Sequence, residues 1–199
     1  INSLRGLFVI ICAHFAINYE VFNPQYLVPL YGTPEPRYIF QNNVSSVLRV
    51  VRFFMVQTLY EELIYRSLLM YSFIPLGFGV DKGVKGYLCA AVMGSWIFTA
   101  GHRNIGWRYK YCWQSIVWYM AKSLSWYAQA FYSGGIIVPT LIHALHNIST
   151  AVFRGFTPEV AGAGLAEVDN SALCSLIFKD ILVTLVVYRM HKNCEAEKK

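Results

Sequence analysis

Six apolar stretches punctuate the chain, and none of them alternates polar with apolar residues as a half-buried strand would. They run from about Leu4 to Tyr19, Val44 to Phe73, Val84 to Gly101, Gln114 to Tyr132, Ile136 to Phe153 and Ser171 to Met190. Only helices and closed barrels satisfy their own backbone groups in lipid. Several of the stretches approach the ~20 apolar residues that a span requires. The chain is therefore expected to be all-α, a polytopic transmembrane helix bundle forming one integral-membrane domain over residues 1–199. Its connections carry helix breakers. NPQYLVPLYGTPEP cannot continue a helix, Ile74 to Lys85 contains Pro75, Gly77, Gly79 and Gly83, and RGFTPEVAGAGLAEVDN reads as a loop. SGG at 133–135 is a tight connection, and HKNCEAEKK a polar tail.

The balance of residue types agrees. The chain is 56% hydrophobic and only 14% charged, whereas soluble domains sit nearer one half and one quarter. The net charge of +6 belongs with flanks and loops, where basic residues set orientation. No basic stripe interleaves with aromatics, so membrane lipid and not nucleic acid is the expected partner. Placing the tail in the cytosol sets seven basic residues (Arg5, Lys82, Lys85, Arg189, Lys192, Lys198, Lys199) against five (Arg37, Arg103, Arg108, Lys110, Arg154), which is too even to fix an orientation. Cys12, Cys89, Cys112, Cys174 and Cys194 are scattered, without a CxxC pair, and imply neither a disulfide framework nor a structural zinc. The chain begins at Ile1, which leaves room for a targeting peptide or earlier spans.

Against this apolar background, the charges in LYEELIYRSLLM at 59–70 stand out. Glu62 and Arg66 are four apart and share a helix face, with the acid on the N-terminal side. Glu61 lies about a quarter turn away. Arg66 is expected to neutralise Glu62 and hold the helix, which leaves Glu61 available for chemistry; the alternative is one structural cluster of all three. FTAGH places Phe98 and His102 on a common face, where His102 is either functional or an interfacial histidine at a helix end. LIHALHN places His143 and Asn147 on a common face, with His146 three after His143. These side chains either line a hydrated cavity or make interhelical hydrogen bonds. Arg49 and Arg52 read as snorkelling side chains, with binding of a substrate carboxylate as the alternative. His14, Lys122, Lys179 and Asp180 have no evident partners in the sequence and receive no function.

One available glutamate with histidines and an asparagine suits hydrolysis by activated water. Glu61 would be the general base, His102 would orient the water, and His143 and Asn147 would donate to the oxyanion that forms at the attacked carbonyl. There is no HExxH for a zincin and no Glu-x-x-His for a di-iron bundle. GFGVD departs from GxGD, and YSGG from GxSG. No cofactor or metal is expected, although a metal on His143 and His146 stays open as an alternative.

Glu61-Glu62-x-x-x-Arg66, Phe98-x-x-x-His102 and His143-x-x-x-Asn147, in this order on successive apolar segments, resemble the CAAX protease and bacteriocin-processing (Abi) family, which includes the CaaX prenyl endopeptidase Rce1. The resemblance covers about residues 44–152. It implies a glutamate-dependent intramembrane endopeptidase that needs no metal, with Glu61, His102, His143 and Asn147 in the roles above and Glu62, Arg66 and Phe98 supporting them. In the prenyl-protease branch it implies removal of the last three residues of a prenylated CaaX protein, the lipid entering laterally between helices. Ser67 after Arg66 matches that branch, whereas HALHN matches the broad bacterial-type group. The expected location is an integral, multi-pass one, in the endoplasmic reticulum of a eukaryote or the plasma or inner membrane of a bacterium. The alternatives are a non-catalytic scaffold or chaperone of the same family and a proton-coupled transporter.

Overall fold

A computed structural model describes residues 4–18, 44–73, 84–102, 112–154 and 170–196. These residues form α1 (Leu4–Ile17), α2 (Val44–Glu62), a π-helical segment (Leu63–Phe73), α3 (Val84–Gly101), α4 (Cys112–Ser133), α5 (Ile137–Arg154) and α6 (Asn170–Ala196). The described residues contain no strand, so the all-α expectation holds. The Pro-rich linker and the expected loops at 74–83, 103–111 and 155–169 lie outside the described residues.

Local chemistry sets the helix limits. Tyr132 and Ser133 are followed by Gly134 at φ +72°, a left-handed conformation that glycine adopts without a Cβ penalty. Gly134 N–H donates to Phe131 O at 3.3 Å and Gly135 N–H to Ala130 O at 3.0 Å, so α4 ends in a Schellman cap. Pro139 falls in the first turn of α5, where a missing N–H costs little. The tail expected after Met190 is instead the last turns of α6. Glu195 accepts a hydrogen bond from Lys192 at 2.8 Å and lies 3.2 Å from His191, pairs at helical spacing that carry the helix to Ala196. The Glu195 carboxylate also raises the Lys192 ammonium above its ordinary pKa.

The long second apolar stretch changes winding at its centre, directly after Glu62. A π-helix is rare, and it occurs most often at functional sites. Here the change is braced from outside: the Tyr127 hydroxyl donates to the Tyr65 carbonyl, and Tyr87 donates to the carbonyl of Tyr127. Gly94 lets Tyr127 approach, because a Cβ there would lie 1.8 Å from the Tyr127 oxygen.

α4 is the central element and packs against α3, α5 and α6, while α2 packs on α5 and α1 on α6. One core joins Ile10, Phe98, Trp126, Val138, Ile142 and Val187 across these helices. The interior is unusually polar. Glu62, Arg66, Ser95, Thr99, Ser123 and His143 are all buried, against the usual rule that such groups lie outside. This polarity has a consequence for hydropathy: among the described residues, no helix is long and apolar enough to cross a membrane. α1 has only 14 residues, about 21 Å at 1.5 Å per residue. α4 and α6 carry Lys122, Lys179 and Asp180 near their middles.

Candidate active site

The site forms where the C-terminal end of α2 meets α4 and α5. Glu62 and Arg66 are both fully buried, and Arg66 Nη1 donates to Glu62 Oε1 at 3.2 Å. Arg66 Nη2 donates to the Ser123 hydroxyl at 2.6 Å. Its guanidinium is enclosed by aromatic faces, with Phe98 at 4.8 Å, Trp126 at 5.0 Å and Tyr127 at 5.1 Å from the ring centroids. A buried charge needs such partners, since desolvation otherwise costs several kcal/mol per ion.

Glu62 has a second partner. His143 Nδ1 lies 2.9 Å from the same oxygen, Oε1. A carboxylate accepts only, so Nδ1 carries the proton. The other imidazole nitrogen, Nε2, then faces Glu61 Oε2 at 3.7 Å. Trp126 stacks on the imidazole with centroids 3.8 Å apart and fixes its plane. His143 thus bridges the two adjacent glutamates, one through each nitrogen.

Glu61 is held differently from Glu62. Its Oε1 accepts a hydrogen bond from Gln57 Nε2 at 3.0 Å. Its Oε2 is buried and makes no hydrogen bond among the described residues. One oxygen is therefore anchored while the other is presented toward the imidazole. Gln57 had no place in the motif reading, although its position four residues before Glu61 was a visible signal.

His102 sits at the end of α3. Its Nδ1 lies 2.8 Å from the Phe98 carbonyl, which can only accept, so the neutral ring has its lone pair on Nε2. The ring packs on Phe98 at 4.2 Å and on Tyr119 at 4.9 Å. Phe98 meets both histidines: His143 packs on it edge to face with centroids 6.3 Å apart. No described hydrogen bond or ion pair joins His102 to Glu61. Asn147 lies one turn beyond His143 on α5, half-buried, and its side chain makes no hydrogen bond among the described residues. The structure therefore brings Glu61, Glu62, Arg66 and His143 into direct contact, reaches His102 through Phe98, and places Asn147 a turn away.

A second buried polar cluster lies near Trp126, whose ring centroid is 5.8 Å from Lys122 Nζ. Lys122 Nζ is 3.2 Å from His146 Nε2 and 3.8 Å from Asp180 Oδ1, and sits 4.8 Å above the Trp118 ring. His14 of α1 interacts with it electrostatically. Lys122, Asp180 and His14 looked solitary in the sequence because their partners come from four different helices.

Along α2, Arg52, Phe53, Val56, Gln57 and Tyr60 line a shallow, open groove of about 560 Å³. Among the described residues, no group of three or more His, Cys, Asp and Glu side chains is placed to hold a metal ion.

No curated protein and no solved structure matches the chain. The model of one family, described as type II CAAX prenyl endopeptidase Rce1-like, matches residues 43–149. That stretch contains α2, the π-helical segment, α3, α4 and most of α5, hence every residue of the Glu61 site. The chain belongs to the type II CAAX prenyl endopeptidase Rce1-like family.

Proposed function

We propose that this protein is a glutamate-dependent intramembrane endopeptidase that removes the C-terminal tripeptide of prenylated CaaX proteins. The observation that carries the proposal is the unequal treatment of the two glutamates. Glu62 is committed at Oε1 to two cationic or N–H partners, the Arg66 guanidinium and His143, while its Oε2 is sealed inside without a hydrogen bond among the described residues. Glu61 is steadied at one oxygen by Gln57 and offers the other, unbonded, to the His143 imidazole. The first arrangement suits a structural carboxylate, and the second suits a base.

The chemistry follows from the donors and acceptors. Glu61 Oε2 takes a proton from water, and the resulting hydroxide attacks the scissile carbonyl carbon. His102 Nε2, unprotonated because Nδ1 is committed to Phe98, accepts a hydrogen bond from the same water. The carbonyl oxygen becomes an oxyanion, for which the Asn147 amide is a donor one helical turn from His143. The tautomer set by Glu62 leaves no N–H on His143 Nε2, so in place of the expected oxyanion donor His143 serves as proton acceptor: Nε2 faces Glu61 and receives the proton from it. From there the proton passes to the leaving amine as the C–N bond breaks.

The surface supports a membrane setting. Leu4, Phe8, Phe53, Val56, Tyr60 and Phe178 are each at least 60% exposed, whereas Glu62 and Arg66 are sealed inside. Soluble proteins rarely expose apolar surface so widely. Intramembrane ionisable residues, by contrast, face the interior of a bundle and pair with one another. The groove on α2 is largely apolar and includes Gln57, the residue that holds Glu61. It suits an isoprenoid chain whose attached peptide reaches the base.

The test is cleavage of a farnesylated CaaX peptide by the purified protein in lipid, with EDTA present, comparing wild type with Glu61→Ala. Cleavage by wild type alone supports a metal-independent protease centred on Glu61. Folded wild-type protein that cleaves no prenylated peptide would overturn the proposal in favour of a scaffold.

A further inference from the structure

We infer that the Tyr65 hydroxyl is a hydrogen-bond donor to the oxyanion, a catalytic group that works beside the Asn147 amide. The inference rests on the proposed endopeptidase activity, and it fills a place that His143 leaves open. With Nδ1–H committed to Glu62, the neutral His143 ring has no N–H at Nε2 to offer an oxyanion. Oxyanion holes use preorganised donors, tyrosine hydroxyls among them, and Asn147 is otherwise without a partner in that role.

Tyr65 stands four residues after Glu61, about one turn on, a spacing that makes neighbours of two side chains. It is half-buried in the π-helical segment, and its ring meets Phe98 edge to face at 5.2 Å. The same Phe98 ring packs on His102 at 4.2 Å and on His143 at 6.3 Å. Tyr65 therefore shares one aromatic neighbour with both histidines of the site. Its oxygen lies against Gly101, where a Cβ would stand 3.3 Å away, and Gly101 immediately precedes His102.

The residue is held without use of its hydroxyl. The Tyr65 carbonyl accepts from Tyr127, and the Arg66 guanidinium lies 5.7 Å from the Tyr65 ring centroid. The hydroxyl itself makes no hydrogen bond among the described residues, whereas a tyrosine hydroxyl removed from water usually finds a partner. Glu61 and Arg66 both act on the phenol electrostatically, so it lies within the field of the site. An acceptor and a donor are thus left open about one turn apart, Glu61 Oε2 and the Tyr65 hydroxyl. A carbonyl attacked by water needs both, an acceptor for the water proton and a donor for the oxygen that gains charge. Tyr65 gives a hydrogen bond and keeps its proton, since a phenol ionises only near pH ~10. The proton that moves is still the one passed from water through Glu61 and His143.

The experiment compares wild type with Tyr65→Phe in lipid, using one farnesylated CaaX peptide and its uncleavable phosphonate analogue, a mimic of the tetrahedral intermediate. Tyr65→Phe keeps the ring against Phe98 and removes only the hydroxyl. It should lower kcat ~10²–10³-fold, the range of one lost oxyanion donor, with KM and the unfolding midpoint unchanged. The phosphonate should bind ~10- to 100-fold more weakly, as the loss of one hydrogen bond to a charged group suggests. An unchanged kcat in folded Tyr65→Phe, a raised KM at unchanged kcat, or undiminished phosphonate binding would overturn the donor while leaving the protease intact. Absence of cleavage by folded wild type would overturn both.

Discussion

His143 joins Glu62 and Glu61 through its two ring nitrogens, at 2.9 Å to the first and 3.7 Å to the second. Adjacent carboxylates on one helix thus acquire different tasks from a residue on another. The nearer contact fixes the tautomer, and the farther one leaves room for reaction. Trp126 against the ring face keeps both distances from drifting.

Exchange of each carboxylate for its amide should separate the two roles. Glu61→Gln removes the base and should reduce cleavage by at least ~10²-fold, the lower range for general-base loss, while the unfolding midpoint changes little. Glu62→Gln strands Arg66 in the interior and should cost ~3–5 kcal/mol, the usual result of breaking a buried pair. Thermal unfolding in detergent together with activity per folded molecule checks both. Equal destabilisation by the two changes would count against the division.

Gln57 is expected to position Glu61. Gln57→Leu keeps the bulk and removes the N–H donated to Oε1. Glu61 would then sample other rotamers, and kcat should fall ~10-fold, as the loss of one hydrogen bond to a charged group suggests. KM for the prenylated peptide should hold or improve, because the groove becomes more apolar. A kcat unchanged with KM raised would assign Gln57 to substrate binding alone.

Gly94 tests whether the π-helical winding depends on Tyr127. A methyl at Gly94 would collide with the Tyr127 hydroxyl and ring. The ring would be displaced from the Tyr65 carbonyl that it caps and from the face of Arg66. Gly94→Ala should therefore cost ~1–3 kcal/mol, as overpacking does, and lower activity as well, because the segment it disturbs starts beside Glu62. Unfolding midpoint and cleavage rate are expected to fall together.

Helix limits were largely legible in the sequence because apolar runs and breakers are local signals. The third run matches α3 from Val84 to Gly101, and the four-residue spacing of Glu62 and Arg66 was enough to pair them. What escaped was set by tertiary contact. His143 reaches Glu62 across 81 positions, and the Lys122 cluster gathers side chains from α1, α4, α5 and α6, so neither has a spacing to read. The hydroxyl that meets the changed winding after Glu62 belongs to Tyr127, 62 positions away from Tyr65. The polar end of α6 was read as a tail because its helix rests on paired charges and lacks an apolar face.

Gly134 supplies a change that should touch stability alone. Its φ of +72° is in the left-handed region, and nothing lies within 4 Å of where a Cβ would stand. The cost of Gly134→Ala is then purely one of backbone conformation, about 1 kcal/mol where φ is positive. The Schellman cap it closes ends α4 and starts α5, yet the Glu61 site lies further along both helices, at Ser123, Trp126 and His143. The unfolding midpoint should drop by a few degrees while cleavage per folded molecule is unchanged. A loss of activity at unchanged stability would mean that the α4–α5 connection sets the register of His143 against Glu61, and would bring this turn into the mechanism.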